Sequence, residues 1–327
     1  MIENKKVFHT LCMIISLLFI AGCQATKPQW YSKPQADTNE YIYAVAQART
    51  LPSAKKSALN NINEKLWTQV ESSFYLRETA RETNQTAISN SLVDNKVNTK
   101  TESLTLSGVE YVSMEENDLG AFVEVKVKKS LVIQQLTREI NEINHKSVTE
   151  LAALEHEDKL LWWLDNRDAD QMLHDVSVRI AMLTPLIPEY KADIRSVQTL
   201  VETHQKLSSQ INIRLAYDKE SKKATQLLGN QLSKFNIATS TSKKNNQTHV
   251  LRVESERRRN KVAGAFISTL VSSVKITNIK AKTISRSEII STGNSVTSYQ
   301  YADEGAARHF NEQIEEKGIW TALGLIK

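Results

Sequence analysis

The sequence contains little cysteine, glycine or proline, and it lacks a long apolar run. Its two cysteines, Cys12 and Cys23, are too few for a disulfide framework or a cysteine-based metal site in 327 residues. Nine glycines and five prolines predict few long loops and much regular structure. No stretch approaches the roughly 18 apolar residues of a membrane-spanning helix, so everything after Cys23 is expected to be soluble.

The first residues have the order of a secretion signal. Lys5 and Lys6 precede an apolar run from Leu11 to Ile20. As a helix, this run would span only about 15 Å at roughly 1.5 Å per residue, half of a bilayer core. The pattern therefore predicts a removable signal over residues 1–22 and not a membrane span.

The signal ends in Ile20-Ala21-Gly22-Cys23, which resembles the lipobox cut by lipoprotein signal peptidase. The resemblance implies that Cys23 is acylated, with chains such as palmitate, and becomes the mature N-terminus. The alternative is an ordinary buried cysteine after a chance apolar run. Because glutamine and not aspartate follows at Gln24, the resemblance favours the outer membrane. Residues 23–29 would be a lipidated tether, and residues 24–29 extend about 20 Å at roughly 3.4 Å each.

Length and composition predict two folded domains after the signal. Forty per cent hydrophobic residues suffice for their cores. The net charge of +5 becomes +4 without the signal, which holds two lysines and one glutamate. So small a charge does not indicate nucleic acid as a partner.

Residues 30–129 have the pattern of a strand, a helix and a hairpin. Tyr41–Ala46 is a strand pattern, and Pro52 suits the first turn of a helix. That helix has apolar residues at every fourth position, namely Ala54, Ala58, Ile62, Leu66, Val70 and Phe74. The polar segment from Asn84 to Lys100 is interpreted as an exposed excursion. Strands are predicted over Leu104–Met114 and Ala121–Val127, joined by the turn Asn117–Gly120.

These residues resemble the LPP-twenty lipoprotein family, which includes flagellar-assembly lipoproteins. The motifs are P-x-W-Y-x-x-P over residues 28–34, the tyrosine-rich strand, the alanine-marked helix, Ser107–Val112 and Phe122–Val127. The resemblance covers about residues 28–130 and implies an envelope role without catalytic residues. The sequence departs from the family pattern at Ala44–Ala48, where a glycine-rich strand end is expected.

Residues 130–209 have helical periodicity and predict two or three long helices that form an arm or bundle. The pattern is interrupted at Thr184–Pro188, and a further helix is predicted over Glu189–Leu207. Trp162 and Trp163 would diverge by about 100° on a helix. One indole could therefore enter the core while the other is left at a rim or partner surface. The favoured interpretation is that both lie in the core, and the alternative hypothesis is that one of them contacts a partner.

Residues 210–327 predict an α/β domain with an antiparallel meander and a closing helix. The predicted elements are a strand over Ile211–Tyr217, a helix over Lys219–Phe235, strands over Thr248–Glu256, Phe266–Ile279 and Lys282–Ser291, and turns at Lys243–Asn246 and Arg257–Lys261. The last helix has a capping box at Thr297 and Gln300, a stripe of Ala302, Ala306, Phe310 and Ile314, and a stop at Gly318. This order resembles the N-terminal domain of TolB, a fold shared by Lpo-type activators of penicillin-binding proteins. An internal duplication of the two α/β parts is an open alternative.

Motifs that carry chemistry are not found in the sequence. It has no glycine-rich phosphate loop, no HExxH and no GxSxG. Glu155–Asp158 is interpreted as a solvated helix face and not as a metal site. Asp165, Asp168 and Asp170 lack the glycine turn of a calcium loop. We therefore predict no catalytic residue, metal or cofactor.

The densest basic segment is Arg257, Arg258 and Arg259, with Arg252 and Lys261 nearby. One interpretation is a hairpin tip that these charges keep soluble. The other is a contact with anionic glycan, phospholipid headgroups or an acidic protein.

Together these patterns predict an α+β lipoprotein on the periplasmic face of the outer membrane. Its expected role is that of a non-enzymatic structural or assembly factor, with an envelope protein or a second copy as partner. The alternative is a regulator of peptidoglycan synthesis that binds a penicillin-binding protein. Peptidoglycan contact stays open, and no nucleic acid partner is expected.

Overall fold

The computed structural model describes residues 26–78, 106–187 and 190–326, with side chains up to residue 66 in the first range. The signal, Cys23 and the segment 84–100 lie outside the described residues. The α+β class is confirmed by two sheets, one antiparallel and one mixed, and by the helices around them. Two compact units are formed, Met1–Glu142 with His174–Ala192, and Ile143–Leu173 with Asp193–Lys327. The segment 130–209 contributes residues to both units.

The first unit begins with the predicted strand, helix and hairpin. Its elements are α1 (Gln29–Ser32), β1 (Tyr41–Ala48), α2 (Leu51–Glu78), β2 (Val109–Asn117) and β3 (Gly120–Lys128). The sheet has the order β1-β3-β2, and both pairings are antiparallel. β2 starts later than the predicted Leu104, which lies outside the described residues.

Alternation along β1 and periodicity along α2 explain how this unit buries its core. Ile42, Ala44 and Ala46 lie on one face of β1, in register with Val127, Val125 and Val123 of β3. α2 packs on both strands. Its Ala54, Ala58, Ile62 and Leu66 are fully buried, which confirms the described part of the predicted stripe.

The helical segment is divided into α3 (Lys129–Ala153), α4 (Lys159–Asp165), α5 (Ala169–Leu183) and α6 (Arg195–Gln210). The predicted interruption at Thr184 is confirmed, because α5 ends at Leu183. The last helix of this segment starts at Arg195, later than the predicted Glu189, which lies outside the described residues. An additional break follows Ala153, because Asp158 caps a new helix by accepting a hydrogen bond from the Leu160 amide.

The second unit contains the predicted α/β part. Its elements are β4 (Asn212–Tyr217), α7 (Lys222–Ser233), β5 (Ala238–Ser240), β6 (His249–Val262), β7 (Ala265–Asn278), β8 (Thr283–Ser295), α8 (Tyr299–Lys317) and α9 (Ile319–Ala322). The sheet order is β5-β4-β6-β7-β8. β4 is parallel to β5 and β6, whereas β6, β7 and β8 form the antiparallel meander. The three-residue strand β5 is not apparent in the sequence.

The predicted turn at Arg257–Lys261 is wrong. These residues belong to β6 and pair with Phe266–Leu270 of β7. The chain reverses at Ala263 and Gly264, which have positive φ values of 49° and 87°. A run of charges is typical of a turn, but a strand with an open face accepts the same residues.

The closing helix covers the meander. Ala302, Ala306, Phe310 and Ile314 are buried as predicted, and Gly318 ends the helix with a φ of 75°. The N-cap is Ser298 and not the predicted Thr297, since the Ser298 hydroxyl accepts from the Tyr301 amide at 3.5 Å. α8 and β8 meet closely at Gly293, where a Cβ atom would clash with the helix backbone.

Candidate functional site

The segment that follows the predicted lipidation site lies directly on the first sheet. The Asn117 Nδ2 donates to the Thr26 carbonyl oxygen at 3.1 Å. Pro28 is buried, and the Tyr31 ring packs edge-on against Phe122 of β3, with 4.9 Å between centroids. The chain is therefore held against β2 and β3 from Thr26 onward.

A buried carboxylate holds the other end of the same segment. Glu124 of β3 is 1 % exposed, and its oxygens accept from the Gln35 amide at 3.4 Å and from the Ser113 hydroxyl at 3.3 Å. Burying a carboxylate is costly unless it is hydrogen-bonded, so these donors matter for the fold. The P-x-W-Y-x-x-P motif thus has a structural explanation, because it fits the face of the sheet that α2 does not cover.

This packing shortens the predicted tether. Only Gln24 and Ala25 separate Cys23 from Thr26. Three Cα–Cα steps reach at most about 11 Å at roughly 3.8 Å each, whereas residues 24–29 were expected to reach about 20 Å. A lipid on Cys23 would accordingly hold the first sheet close to the membrane surface.

The prediction that Trp162 or Trp163 presents a partner surface is wrong, because both are buried, at 0 % and 7 % exposure. The Trp162 Nε1 donates to the Glu150 carbonyl oxygen at 2.6 Å. The Trp163 ring stacks on His204 at 5.5 Å and meets Trp320 edge-on at 5.8 Å. The short helix α4 is buried on several sides, as a helix inside a core can be, so the two diverging indoles both find apolar surroundings.

The three arginines do not form one basic surface. Side chains alternate along β6, so Arg258 lies on the opposite face from Arg257 and Arg259. Arg257 is 13 % exposed and pairs with Glu220 at 2.6 Å and Asp303 at 3.1 Å. Arg259 pairs with Asp303 at 2.6 Å, and Arg258 with Glu256 at 2.8 Å.

The two residues near this segment are also engaged. Arg252 lies 3.5 Å from Glu254, and the Lys261 ammonium lies 4.6 Å from the Phe266 ring centroid. Burial alone would raise the pKa of Asp303, but hydrogen bonds from Arg259 and Ser268 and the charge of Arg257 hold it below its ordinary value. Each arginine thus has an acidic neighbour, which reduces the positive charge available to an anionic ligand. A role in binding glycan, headgroups or an acidic protein stays a prediction.

A buried Asp–His pair in the second unit was not found by sequence reasoning. The Asp158 Oδ1 lies 2.9 Å from the His249 Nε2, and His249 is 2 % exposed. Burial would raise the pKa of Asp158, but the hydrogen bond and charge of His249, with hydrogen bonds from Asn278 and the Leu160 amide, hold it below the usual value. The pair joins the start of α4 to the start of β6.

We expect Asp158→Asn to lower the free energy of unfolding by about 1.5–3 kcal/mol at neutral pH, the range for hydrogen bonds to charged groups. The pKa of Asp158 in the folded protein lies below the unfolded value of about 3.9. The ionised form therefore contributes stability above that pH, and this contribution is lost as the pH falls through the folded pKa. Urea unfolding from pH 7 to pH 3 should show the difference from wild type shrinking.

The matched control is Asp165→Asn, an exposed carboxylate at the end of the same helix. It should change stability little at any pH. If the free energies of unfolding of wild type and Asp158→Asn differed by the same amount at every pH, the stabilising role of the ionised carboxylate would be contradicted.

The Glu155–Asp158 cluster lies between α3 and α4, and not on a helix as predicted. Residues 155–157 are exposed, while Asp158 faces His249.

Within residues 26–78, 106–187 and 190–326, no three His, Cys, Asp or Glu side chains are grouped as metal ligands. In the same ranges, no helix combines the length and the apolar character needed to cross a membrane.

Structural comparison gives distant likenesses. The secreted protein HP1454 from the human pathogen Helicobacter pylori is 14 % identical, with a TM-score of 0.47 over 88 % of this chain and 100 % of that chain. A minor lipoprotein from Acinetobacter baumannii is 15 % identical, with a TM-score of 0.28 over 32 % of this chain and 88 % of that one. The rare lipoprotein B from Shewanella oneidensis is also 15 % identical, with a TM-score of 0.20 over 34 % and 87 %. Such low TM-scores carry no argument about function.

Sequence comparison is more informative for the first unit. No curated protein sequence matches the chain. The resemblance of the last part to TolB and to Lpo-type activators is not confirmed and stays a prediction. Residues 28–128 match the family model described as LPP20 lipoprotein, so this third of the chain is similar to that family, which supports an envelope lipoprotein.

Proposed function

We propose that this protein is an outer-membrane lipoprotein, anchored through Cys23, that acts as a structural or assembly factor on the periplasmic face. The observation that carries the proposal is the LPP20 match over residues 28–128, which starts just after the lipobox-like sequence ending at Cys23. The outer membrane is favoured by Gln24, and a link to flagellar assembly rests on the family resemblance.

A non-enzymatic role is supported by how the described polar clusters are used. The Arg257 guanidinium is held by Glu220, Asp303 and the Ser268 hydroxyl. The Asp158 carboxylate caps a helix and bonds His249. These groups stabilise the fold, and they match no catalytic motif in the sequence.

The alternative, a regulator of a penicillin-binding protein, has no observation in its favour. Such a regulator must reach a synthase in the opposite membrane, and the shorter tether makes this reach harder. The buried tryptophans also remove the partner surface that was predicted on the helical segment.

We expect Cys23→Ser to abolish acylation and signal cleavage, because the lipid is attached to the sulfur atom of the cysteine. Wild type should fractionate with the outer membrane and carry acyl chains on its first residue, as read by mass spectrometry and metabolic palmitate labelling. Ser32→Ala, at an exposed position of α1, is the control and should be processed normally.

A Cys23→Ser protein that remains processed and lipid-labelled would disprove the anchor. Crosslinking in cells that carry the wild-type chain tests the assembly role. Capture of a second copy or of an envelope structural component supports it, whereas specific capture of a wall synthase would favour the regulator.

A further inference from the structure

We infer that one end of the first sheet, formed by the β2–β3 turn (Asn117–Gly120) and the β1–α2 connection (Ala48–Leu51), rests on the lipid surface with Leu119 in contact with it. We call this end of the sheet the anchor end. The inference rests on the proposed lipid at Cys23 and specifies which surface of the protein that lipid holds against the membrane.

The anchor end is where the chain from Cys23 joins the fold. The Thr26 carbonyl accepts from Asn117, the first residue of the β2–β3 turn. Residues after Thr26 are held by Pro28 and Tyr31, which pack on the sheet. The three Cα–Cα steps from Cys23 to Thr26 can span at most about 11 Å, at roughly 3.8 Å per step. A diacylated residue at that distance places the turn at the level of the headgroups.

The two loops of the anchor end form one surface. The Gln47 side-chain amide donates to the Leu119 carbonyl oxygen at 2.8 Å. Gly120 has a φ of 118°, and a Cβ atom on it would lie 3.9 Å from the Arg49 Cα and still closer to the Ala48 carbonyl. The β2–β3 turn and the β1–α2 connection would thus meet the membrane together.

The chemistry of this surface suits a lipid interface. Leu119 lies at the tip of the turn and is 44 % exposed, and such a side chain gains by leaving water. Lys27 next to Thr26, Arg49 of the β1–α2 connection and Asp118 of the turn are exposed. Because Glu115 and Glu116 are exposed on the neighbouring strand, the charges nearly balance. Contact should therefore depend on the lipid tether and Leu119 more than on anionic lipids.

The opposite end of the sheet lies well away from the anchor end. β3 has nine residues and extends about 27 Å at roughly 3.4 Å per residue. Its far end continues into α3, where Ser130 is exposed. If the anchor end rests on the membrane, Ser130 should stay in water, whereas a sheet that lies flat would bring both positions to the lipid.

The experiment uses the full processed and lipidated chain in vesicles of phosphatidylethanolamine and phosphatidylglycerol. Cys12 is removed with the signal and Cys23 is acylated, so an introduced cysteine is the single free thiol. Leu119→Cys and the control Ser130→Cys are labelled with a polarity-sensitive fluorophore, and Asp118→Cys serves as a second probe of the turn. Thermal melts confirm that each variant is folded, and mass spectrometry confirms the acylated N-terminus.

We expect the emission of a fluorophore at residue 118 or 119 to shift to shorter wavelength and to be quenched by lipids that carry a nitroxide near the headgroup. A fluorophore at residue 130 should show neither effect. Equal signals at both ends, or no signal at 118 and 119 in acylated protein, would overturn the inference while leaving the anchor intact. If no acyl chain is found on Cys23, the proposed function itself fails, which the mass spectrum alone reveals.

Discussion

Replacing Trp162 with alanine should lower the free energy of unfolding by about 3–5 kcal/mol, the usual cost of removing a buried tryptophan side chain. Trp162 is fully buried among the apolar residues of the second unit. Its removal leaves a large cavity and leaves the Glu150 carbonyl without the indole donor. Urea unfolding followed by circular dichroism measures the effect.

Two variants on the same helix serve as controls for Trp162→Ala. Trp162→Phe keeps most of the apolar volume and loses the hydrogen bond, so its destabilisation should be smaller. Asp165→Ala, at an exposed position, should be close to neutral. If the Trp162→Ala variant kept its stability but lost a binding partner, the indole would be a surface group and not a core residue.

Gly293→Ala should destabilise the second unit by an amount near the upper end of the roughly 1–3 kcal/mol typical of overpacking. A Cβ on Gly293 would overlap the Ala302 carbonyl oxygen and the Ala306 amide nitrogen of α8. These are backbone atoms, so no side-chain rotation relieves the clash. α8 would have to move away from β8, which loosens the packing of its buried stripe, including Phe310.

The neighbouring Asn294 provides the matched control for Gly293→Ala. Asn294 is exposed on the other face of β8, and Asn294→Ala should leave the melting temperature almost unchanged. Gly305→Ala should cost less than Gly293→Ala, because its Cβ would lie 3.1 Å from the Gly293 Cα and alanine favours the helix by about 1 kcal/mol. An unchanged melting temperature for Gly293→Ala would mean that strand and helix are farther apart than described.

Local periodicity explains why much of the fold was predictable. β1 buries alternate residues, and α8 buries Ala302, Ala306, Phe310 and Ile314 at helical spacing. Each pattern depends only on which face of one element avoids water. The strand, helix and hairpin of the first unit could be predicted for the same reason, and so could the helix stop at Gly318.

The charge run gave a wrong turn, and the adjacent tryptophans left two interpretations open, because the position of such residues depends on distant neighbours. Arg257 suits a strand because Glu220 and Asp303 meet its guanidinium. Trp163 lies in the core because His204 and Trp320 cover its ring. No spacing within a short window indicates such partners.

The sequence by itself determined most of the order of helices and strands, the apolar face of the longer elements, and the similarity to a lipoprotein family. The tertiary structure decided the remaining features. It showed that both tryptophans of α4 are core residues, that Asp158 bonds a histidine 91 positions away, and that Thr26 binds the β2–β3 turn. The physical reason is that periodicity records only whether a side chain meets water, whereas its partner is fixed by packing between elements far apart in the chain.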